Sequence, residues 1–254
     1  MDLNEVTGEG FNRHPWELSR TKCVLNAFTK YMDRQHKDQA GKRYVNIGAG
    51  DLYFDEALLA KYKKDEVYAV DLGYKELTSE EKNIHKYHYL EEIEAQGFDY
   101  AIMMDSLEYM EDDVDYVTKV SSRLSIGGYF FFTLPAFPIL YSDHDMIVHN
   151  LRRYSRTSFY ELIDKVPGLK IVEDYNFYTA LFLVRFLQKF LHLPIDKEHK
   201  VTTGWKFKEN GLITGFVKGC LNLDFAFNRV LSKIGIRLPG LSMLVVCRKM
   251  QVPK

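Results

Sequence analysis

Apolar residues arrive along the chain in short runs, and between the runs they recur at helical spacing. Residues 44–47, 66–71, 98–105, 129–134 and 242–248 are mostly apolar runs of this kind and, with 169–175, predict strands. Inside the less decided stretch 79–96, residues 84–90 suit one more. Leu18, Val24, Leu25, Phe28 and Tyr31 fall on one side of a predicted helix that begins after Pro15 and reaches Met32. Helices are also predicted over 54–63, over 112–122 with Val114, Val117 and Val120 on one side, and over 151–166 with Ser155 or Thr157 as N-cap. Ile126-Gly127-Gly128 reads as a turn ahead of the fifth strand. Residues 1–13 read as a loose leader and 33–43 as a polar loop.

Strands alternating with helices predict an α/β fold, a Rossmann-like, mostly parallel sheet with helices on both faces. Between the last two strands, 181–191 and 212–236 look helical and flank a basic connector, 197–208. The expected division is a core over 1–178, a helical insertion or cap over 179–241, and a closing strand within 242–254. With 254 residues, 46% of them apolar, one α/β domain with additions is the simplest count. The net charge of -1 gives no global field favouring nucleic acid or acidic lipid. Cys23, Cys220 and Cys247 are scattered, with neither metal-ligand spacing nor a disulfide framework, which suits a reducing cytoplasm. The acidic start Met1-Asp2-Leu3-Asn4-Glu5 is unlike a secretory signal. The most apolar window, 177–193, is interrupted by Arg185, Gln188, Lys189 and His192, so no membrane span is expected.

The chemistry concentrates at strand ends. The run 44–47 enters Gly48-Ala49-Gly50, and the next run ends on Asp71. Glycines let backbone approach a ligand, and an acid at the following strand's end can accept from ribose hydroxyls. The plainer alternatives are a tight strand–helix turn and a helix-capping acid. A dinucleotide fingerprint would require a third glycine where Tyr53 stands, which disfavours a nicotinamide-dependent oxidoreductase. Asp105 occupies the same address at the fourth strand.

Taken together, Val45-Asn46-Ile47-Gly48-Ala49-Gly50-Asp51, Val70-Asp71, the segment 98–112 and Ile126-Gly127-Gly128-Tyr129-Phe130-Phe131 resemble the motifs of class I S-adenosylmethionine-dependent methyltransferases. The resemblance covers roughly 14–175, as fold-level analogy. It implies a seven-stranded sheet closed by an antiparallel last strand. It also implies S-adenosylmethionine as cofactor, held by Trp16, Asn46, Gly48, Ala49, Gly50, Asp71, Leu72, Asp105 and Ser106. His14-Pro15-Trp16-Glu17-Leu18-Ser19-Arg20 is similar to the N-terminal helix that closes over the donor in a bacterial subgroup often found with glycan-assembly enzymes. Leu134-Pro135-Ala136-Phe137, Ser142-Asp143-His144-Asp145, His149 and Arg152-Arg153-Tyr154-Ser155 are similar to that subgroup's segment after strand five. Two departures stand out: the family usually has an acid at Asn46 and a glycine at Leu52.

Methyl transfer from a sulfonium needs alignment and, for some acceptors, a base. His144 is the first base candidate, Asp145 would orient it or bind acceptor hydroxyls, and His149 is the second. Arg152 and Arg153 could clamp a phosphate or carboxylate and Tyr154 could stack on a sugar, although all could be ordinary surface or loop residues. No metal is expected, although His144, Asp145 and His149 are ligand types. The stripe Phe177, Leu181, Val184, Leu187 and Leu191 is expected to pack against Leu212, Phe216, Leu221, Phe225 and Leu231; the sharper reading is a lipid-receiving or membrane-surface contact through 177–193. The expected acceptor is a small polar or lipid-linked molecule, such as a sugar hydroxyl, in a protein that is cytoplasmic or peripheral to the inner membrane face. The alternative is a non-catalytic module on the same fold.

Overall fold

In a computed structural model of the chain, the structure describes residues 13–35, 41–75, 77, 83–191, 207–208 and 210–251. Seven strands form one sheet: β1 (Arg43–Ile47), β2 (Glu66–Val70), β3 (Ile84–Tyr87), β4 (Phe98–Met104), β5 (Leu124–Pro135), β6 (Leu169–Phe177) and β7 (Ser242–Lys249). Their order across the sheet is β3-β2-β1-β4-β5-β7-β6. Pairs from β3 to β5 are parallel, and β7 runs antiparallel to both β5 and β6. The ends of β1, β2, β4, β5 and β6 therefore share one edge, the carboxyl edge. Helices are α1 (Pro15–Gln35), α2 (Tyr53–Lys61), α3 (Asp113–Ser122), α4 (Asp143–Ile147), α5 (Arg156–Asp164), α6 (Thr179–Phe190) and α7 (Leu212–Lys233).

The central strands read as continuous apolar runs because both of their faces are covered. Alternate residues serve two cores. Tyr44, Tyr100, Phe131 and Leu244 meet Phe28 of α1, Phe54 of α2 and Phe225 of α7. Val45, Ala101, Phe130 and Val245 meet Val117 of α3 and Phe159 of α5. Phe28 stacks on Phe131 at 4.1 Å between ring centres, which seats α1 across the middle of the sheet.

Four expectations need correcting. The turn at 126–128 lies within β5, where the ladder with β4 shifts register between Phe98 and Tyr100. A Cβ on Gly128 would come within 2.9 Å of the Asp99 carbonyl oxygen, so only glycine lets the strands stay this close. The helix expected from residue 151 starts at Arg156, with the Ser155 side chain accepting from the Ser158 amide; before it, Tyr154 bridges to Ala136. The stretch holding His144 forms the short helix α4, which the sequence left as loop. The packing expected between α6 and α7 is only partial: Leu221 and Phe225 are buried, but Leu212 and Phe216 are exposed, as are Val184, Leu187 and Leu191. Instead α7 lies against α1 and β6, as part of the helical layer on that face. Of the basic connector, residues 197–206 lie outside the described residues, as does the leader up to residue 12.

Candidate active site

At the carboxyl edge, β1 ends in a loop that turns back under β2. The Gly48 and Ala49 amides both donate to the Val70 carbonyl, at 2.8 and 3.2 Å. Gly48 has φ +69°, and a Cβ there would sit 2.5 Å from that of Ser106, whose hydroxyl donates to the Ile47 carbonyl at 2.9 Å. The ends of β1 and β4 are thus held in contact, with Gly48 itself exposed between them. Asp71 accepts from the Gly50 amide through one oxygen, at 2.9 Å, and from the Gly73 amide through the other, at 2.8 Å. The carboxylate is fixed across two loops and keeps lone pairs for hydroxyl donors. Leu72 beside it is exposed, and Ala49 is buried.

The two departures from the family pattern have structural counterparts. Asn46 is buried and donates its amide to both oxygens of Asp55, at 2.9 and 2.8 Å. The acid missing at position 46 is therefore supplied from α2, though burial pushes the Asp55 carboxyl up to about 7 and the Asn46 bond only partly offsets this. Leu52 has φ +64°, a left-handed conformation that explains a glycine at this position. Asp105, Phe137 and Tyr178 also have positive φ, each next to the end of a strand at this edge. Backbone strain of this kind clusters where structure serves function.

Helix α1 covers the edge. Arg13 pairs with Asp51 and, at 2.7 Å, with Glu17, and its guanidinium lies 3.9 Å from the centre of the Tyr53 ring. Arg20 pairs with Asp105, and Trp16 lies against the Arg20 guanidinium at 4.3 Å. The Tyr178 hydroxyl donates to Ser19 at 3.1 Å. Glu17 Oε2, Arg20 Nε, Asn46 Oδ1 and Glu108 Oε2 are buried without a hydrogen-bond partner among the described residues. Orphaned groups of both charges are costly unless something else completes them. Arg13, Glu17, Arg20 and Glu108 were not singled out from sequence. A signal was there for three of them, since Arg13, Glu17 and Arg20 follow four- and three-residue spacing and so share one helical side.

Glu108 lies two residues beyond Ser106, in the short turn Leu107–Tyr109, and its carbonyl accepts from the Leu151 amide at 3.0 Å. Burial raises its carboxyl to about 8, against the opposing pull of its own amide and of Arg20 and Arg153. It therefore bridges the electrostatics of the covering helix and of the segment after β5.

That segment is tightly built. Asp145 is fully buried and accepts from the Ser142 amide at 3.0 Å, the Ser142 hydroxyl at 3.1 Å, Asn150 at 3.3 Å and the Arg153 Nε at 2.8 Å. Burial works to raise its pKa, but these partners, Arg153 foremost, hold it below the usual aspartate value. No described bond joins it to His144, so its acceptors serve the loop. His144 is exposed on α4, and its pKa is lowered by partial desolvation and by Arg185. His149 is exposed at φ +60°. Arg152 donates to Asp113 and to the Glu111 carbonyl, both at 2.9 Å, and the buried Tyr154 hydroxyl donates to the same Asp113 oxygen at 2.9 Å. A ligand reaching Arg152, Arg153 or Tyr154 would have to displace an existing partner. Among the described residues no group of three histidine, cysteine or acidic side chains is placed to hold a metal ion.

No protein-family model matches this sequence, and no curated protein does. Solved structures do match in shape. The plantazolicin methyltransferase BamL, solved with a triazolic desmethyl analogue and S-adenosylhomocysteine, is 12% identical with a TM-score of 0.57, covering 92% of this chain and 86% of its own. The chain has the fold of the class I methyltransferases. A candidate sarcosine dimethylglycine methyltransferase of Galdieria sulphuraria is 11% identical with a TM-score of 0.54, over 89% of this chain and 85% of that one. The [4+2]-cyclase SpnF is 13% identical with a TM-score of 0.51, over 83% and 76%. These likenesses concern the fold, and SpnF carries a different activity in its name.

Proposed function

We propose that the protein is an S-adenosylmethionine-dependent methyltransferase. The observation that carries this reading is the Asp71 carboxylate, fixed by the Gly50 and Gly73 amides beside an exposed Gly48. Asp71 would hold the ribose hydroxyls, with Gly48, Ala49 and Gly50 passing under the nucleoside and Leu72 at its rim. The orphaned atoms of Glu17, Arg20 and Asn46 suit the ammonium and carboxylate of an amino-acid group, which is the fit this donor requires. The donor, when bound, supplies a methyl group already activated on a sulfonium. Asp55, one bond behind Asn46, contributes negative field toward that cation in its ionised form. Arg20 and Asp105, with Ser106 and Trp16, close the pocket against water.

On the acceptor side, His144 is exposed and neutral near pH 7, so it can take a proton from an acceptor hydroxyl. His149 is the second candidate, while Asp145 and Arg153 keep the loop in shape. The acceptor is a small polar or lipid-linked molecule, with a sugar hydroxyl of a glycan precursor as the leading type. A nicotinamide dinucleotide is disfavoured because Tyr53 opens α2 under the Arg13 guanidinium, where a pyrophosphate would need bare backbone.

Titration calorimetry with S-adenosylmethionine and S-adenosylhomocysteine tests the reading, followed by transfer of labelled methyl across an acceptor panel. Absence of binding at millimolar donor would overturn it. Asn46 and Leu52 favour one second reading, a binding module that has kept the fold. Donor affinity without turnover on any acceptor, unchanged in His144→Ala, would support that reading.

A further inference from the structure

Helix α7 carries two apolar stripes, and only one has a partner. Leu221 and Phe225 are buried against α1 and β6, with Thr214 and Asn228 along the same side. Leu212, Phe216, Leu223, Phe227, Val230 and Ile234 follow four- and three-residue spacing on the other side and are all exposed, Leu212 at 94% and Phe216 at 74%. The stripe runs most of a 22-residue helix, about 33 Å. Helix α6 buries Phe182 alone and exposes Leu183, Leu187 and Phe190. Single exposed apolar residues are ordinary; continuous exposed stripes mark an interaction surface.

Charge says what covers it. Residues 179–241 hold ten lysines and arginines against four acids, a surplus of six in a chain whose net charge is -1. Of the acids, Asp224 is spent on the Thr179 and Ala180 amides, capping α6. Arg185 and Lys233 are exposed and have no ionic partner among the described residues. A second copy of the chain on this surface would bring like charges together. Exposed apolar stripes in a segment with this surplus of lysine and arginine instead match an anionic lipid surface, where the apolar side sinks to the headgroup boundary and cations meet phosphate. No described helix is long and apolar enough to cross a membrane, so the contact is in-plane.

We propose that α6 and the exposed stripe of α7 dock the protein on an anionic lipid bilayer. The surface continues to the segment after β5. The Phe137 and Phe182 rings meet at 4.8 Å, Lys189 donates to the Tyr141 carbonyl at 2.5 Å, and Ile139, Met146 and Ile147 are exposed beside them. Docking therefore brings α4, with His144, to the bilayer. That this delivers a lipid-borne acceptor rests on the methyl-transfer reading; the docking itself does not.

Cys220 provides a built-in reporter, being the exposed one of the three cysteines and lying on α7 between Phe216 and Leu223. The full chain, labelled there with an environment-sensitive dye, is mixed with phosphatidylcholine vesicles or with vesicles containing phosphatidylglycerol. Flotation with the anionic vesicles, a blue shift of the dye and release by high salt are the expected results. Phe216→Ser combined with Phe227→Ser should weaken the binding about tenfold or more. Arg185→Glu combined with Lys233→Glu, both at exposed positions, should do the same. Calorimetry with the donor, run in parallel, reads the core separately. No flotation with anionic vesicles, or equal binding by the charge-reversed variant, would overturn the proposal. So would a concentration-dependent dimer that the serine variants abolish while vesicles remain unbound.

Discussion

Asp71 keeps its position through two backbone amides, one on each oxygen, and both bonds need an acceptor. Asp71→Asn places an NH2 group against one of those N–H groups, donor facing donor, and on the proposed function removes a charge-assisted bond to a ribose hydroxyl. Such bonds are worth about 1.5–3 kcal/mol, so donor affinity measured by calorimetry should fall by at least about tenfold, while the urea midpoint moves little. Unchanged affinity would remove Asp71 from the pocket. Leu52 offers a test of opposite character. Its left-handed backbone costs about 1 kcal/mol with any Cβ, and its side chain is buried in the core beneath α1. Leu52→Ala loses the packing and keeps the strain, whereas Leu52→Gly loses the packing and the strain together. The glycine variant should therefore be the more stable of the two by about 1 kcal/mol in urea unfolding, against the usual order within helices, where alanine exceeds glycine by a similar amount. An alanine variant at least as stable as the glycine one would show that Leu52 is relaxed.

Among elements, α1 is the one that, on the proposed function, closes the donor pocket. Arg20 carries its contact with the sheet's edge, bound to Asp105 and lying on Trp16. Arg20→Met keeps most of the stem but leaves Asp105 without its cation. Removing one partner of a buried pair costs about 3–5 kcal/mol, less here because Asp105 is partly exposed. Amide exchange over residues 15–35 should quicken, donor affinity should drop, and exchange in β1 and β4 should stay slow. Uniformly faster exchange would mean that α1 holds the fold rather than the pocket. What the sequence revealed divides along the same line. β1 and β2 were readable because a buried parallel strand needs a near-continuous apolar run, which Val67–Val70 provides and Tyr44–Ile47 provides apart from Asn46. Strand β5 was read as starting five residues too late because Gly127 and Gly128 signal a turn locally, while the close approach of Asp99 keeps them in the ladder. Residues 151–154 were read as helix because their pattern allows it, yet Tyr154 gains more as a bridge to Ala136 and a donor to Asp113. The exposed stripes of α6 and α7 were periodic in sequence, but periodicity names an apolar side without naming its partner. Glu108 left no trace beyond its place after the strand-four motif, since its burial comes from Arg20 and the loop at 151, both distant in the chain.

For the molecule as a whole, the two buried acids at the sheet's edge set how stability responds to pH. Asp55 and Glu108 ionise at about 7 and about 8 in the folded chain, above the ordinary values of 3.8 and 4.5 that the unfolded chain recovers. Near neutrality Glu108 is mostly protonated and Asp55 partly so in the native state, while both are ionised in the unfolded one, so folding takes up protons. Their stabilising contribution is complete below about pH 4 and is lost as pH rises through 7 and 8. His14 and His144, with lowered values, act in the opposite sense, but only around and below the ordinary histidine value of 6.5. From pH 7 to 8.5 the acids therefore govern, and Glu108, with the higher value, governs longest. Its share of the slope is at most about 1.4 kcal/mol per pH unit. Glu108→Gln keeps the shape and the neutral form while abolishing the titration. Urea unfolding of the two proteins at pH 7.0, 7.8 and 8.5 should show a clear loss of stability with pH in the parent and a shallower one in the variant, so that the variant gains relative to the parent as pH rises. Parallel lines would mean that Glu108 is ionised throughout, matched by Arg20 and Arg153. In that case the edge of the sheet would hold a standing negative charge between Arg20 and Arg153 in place of a neutral carboxyl.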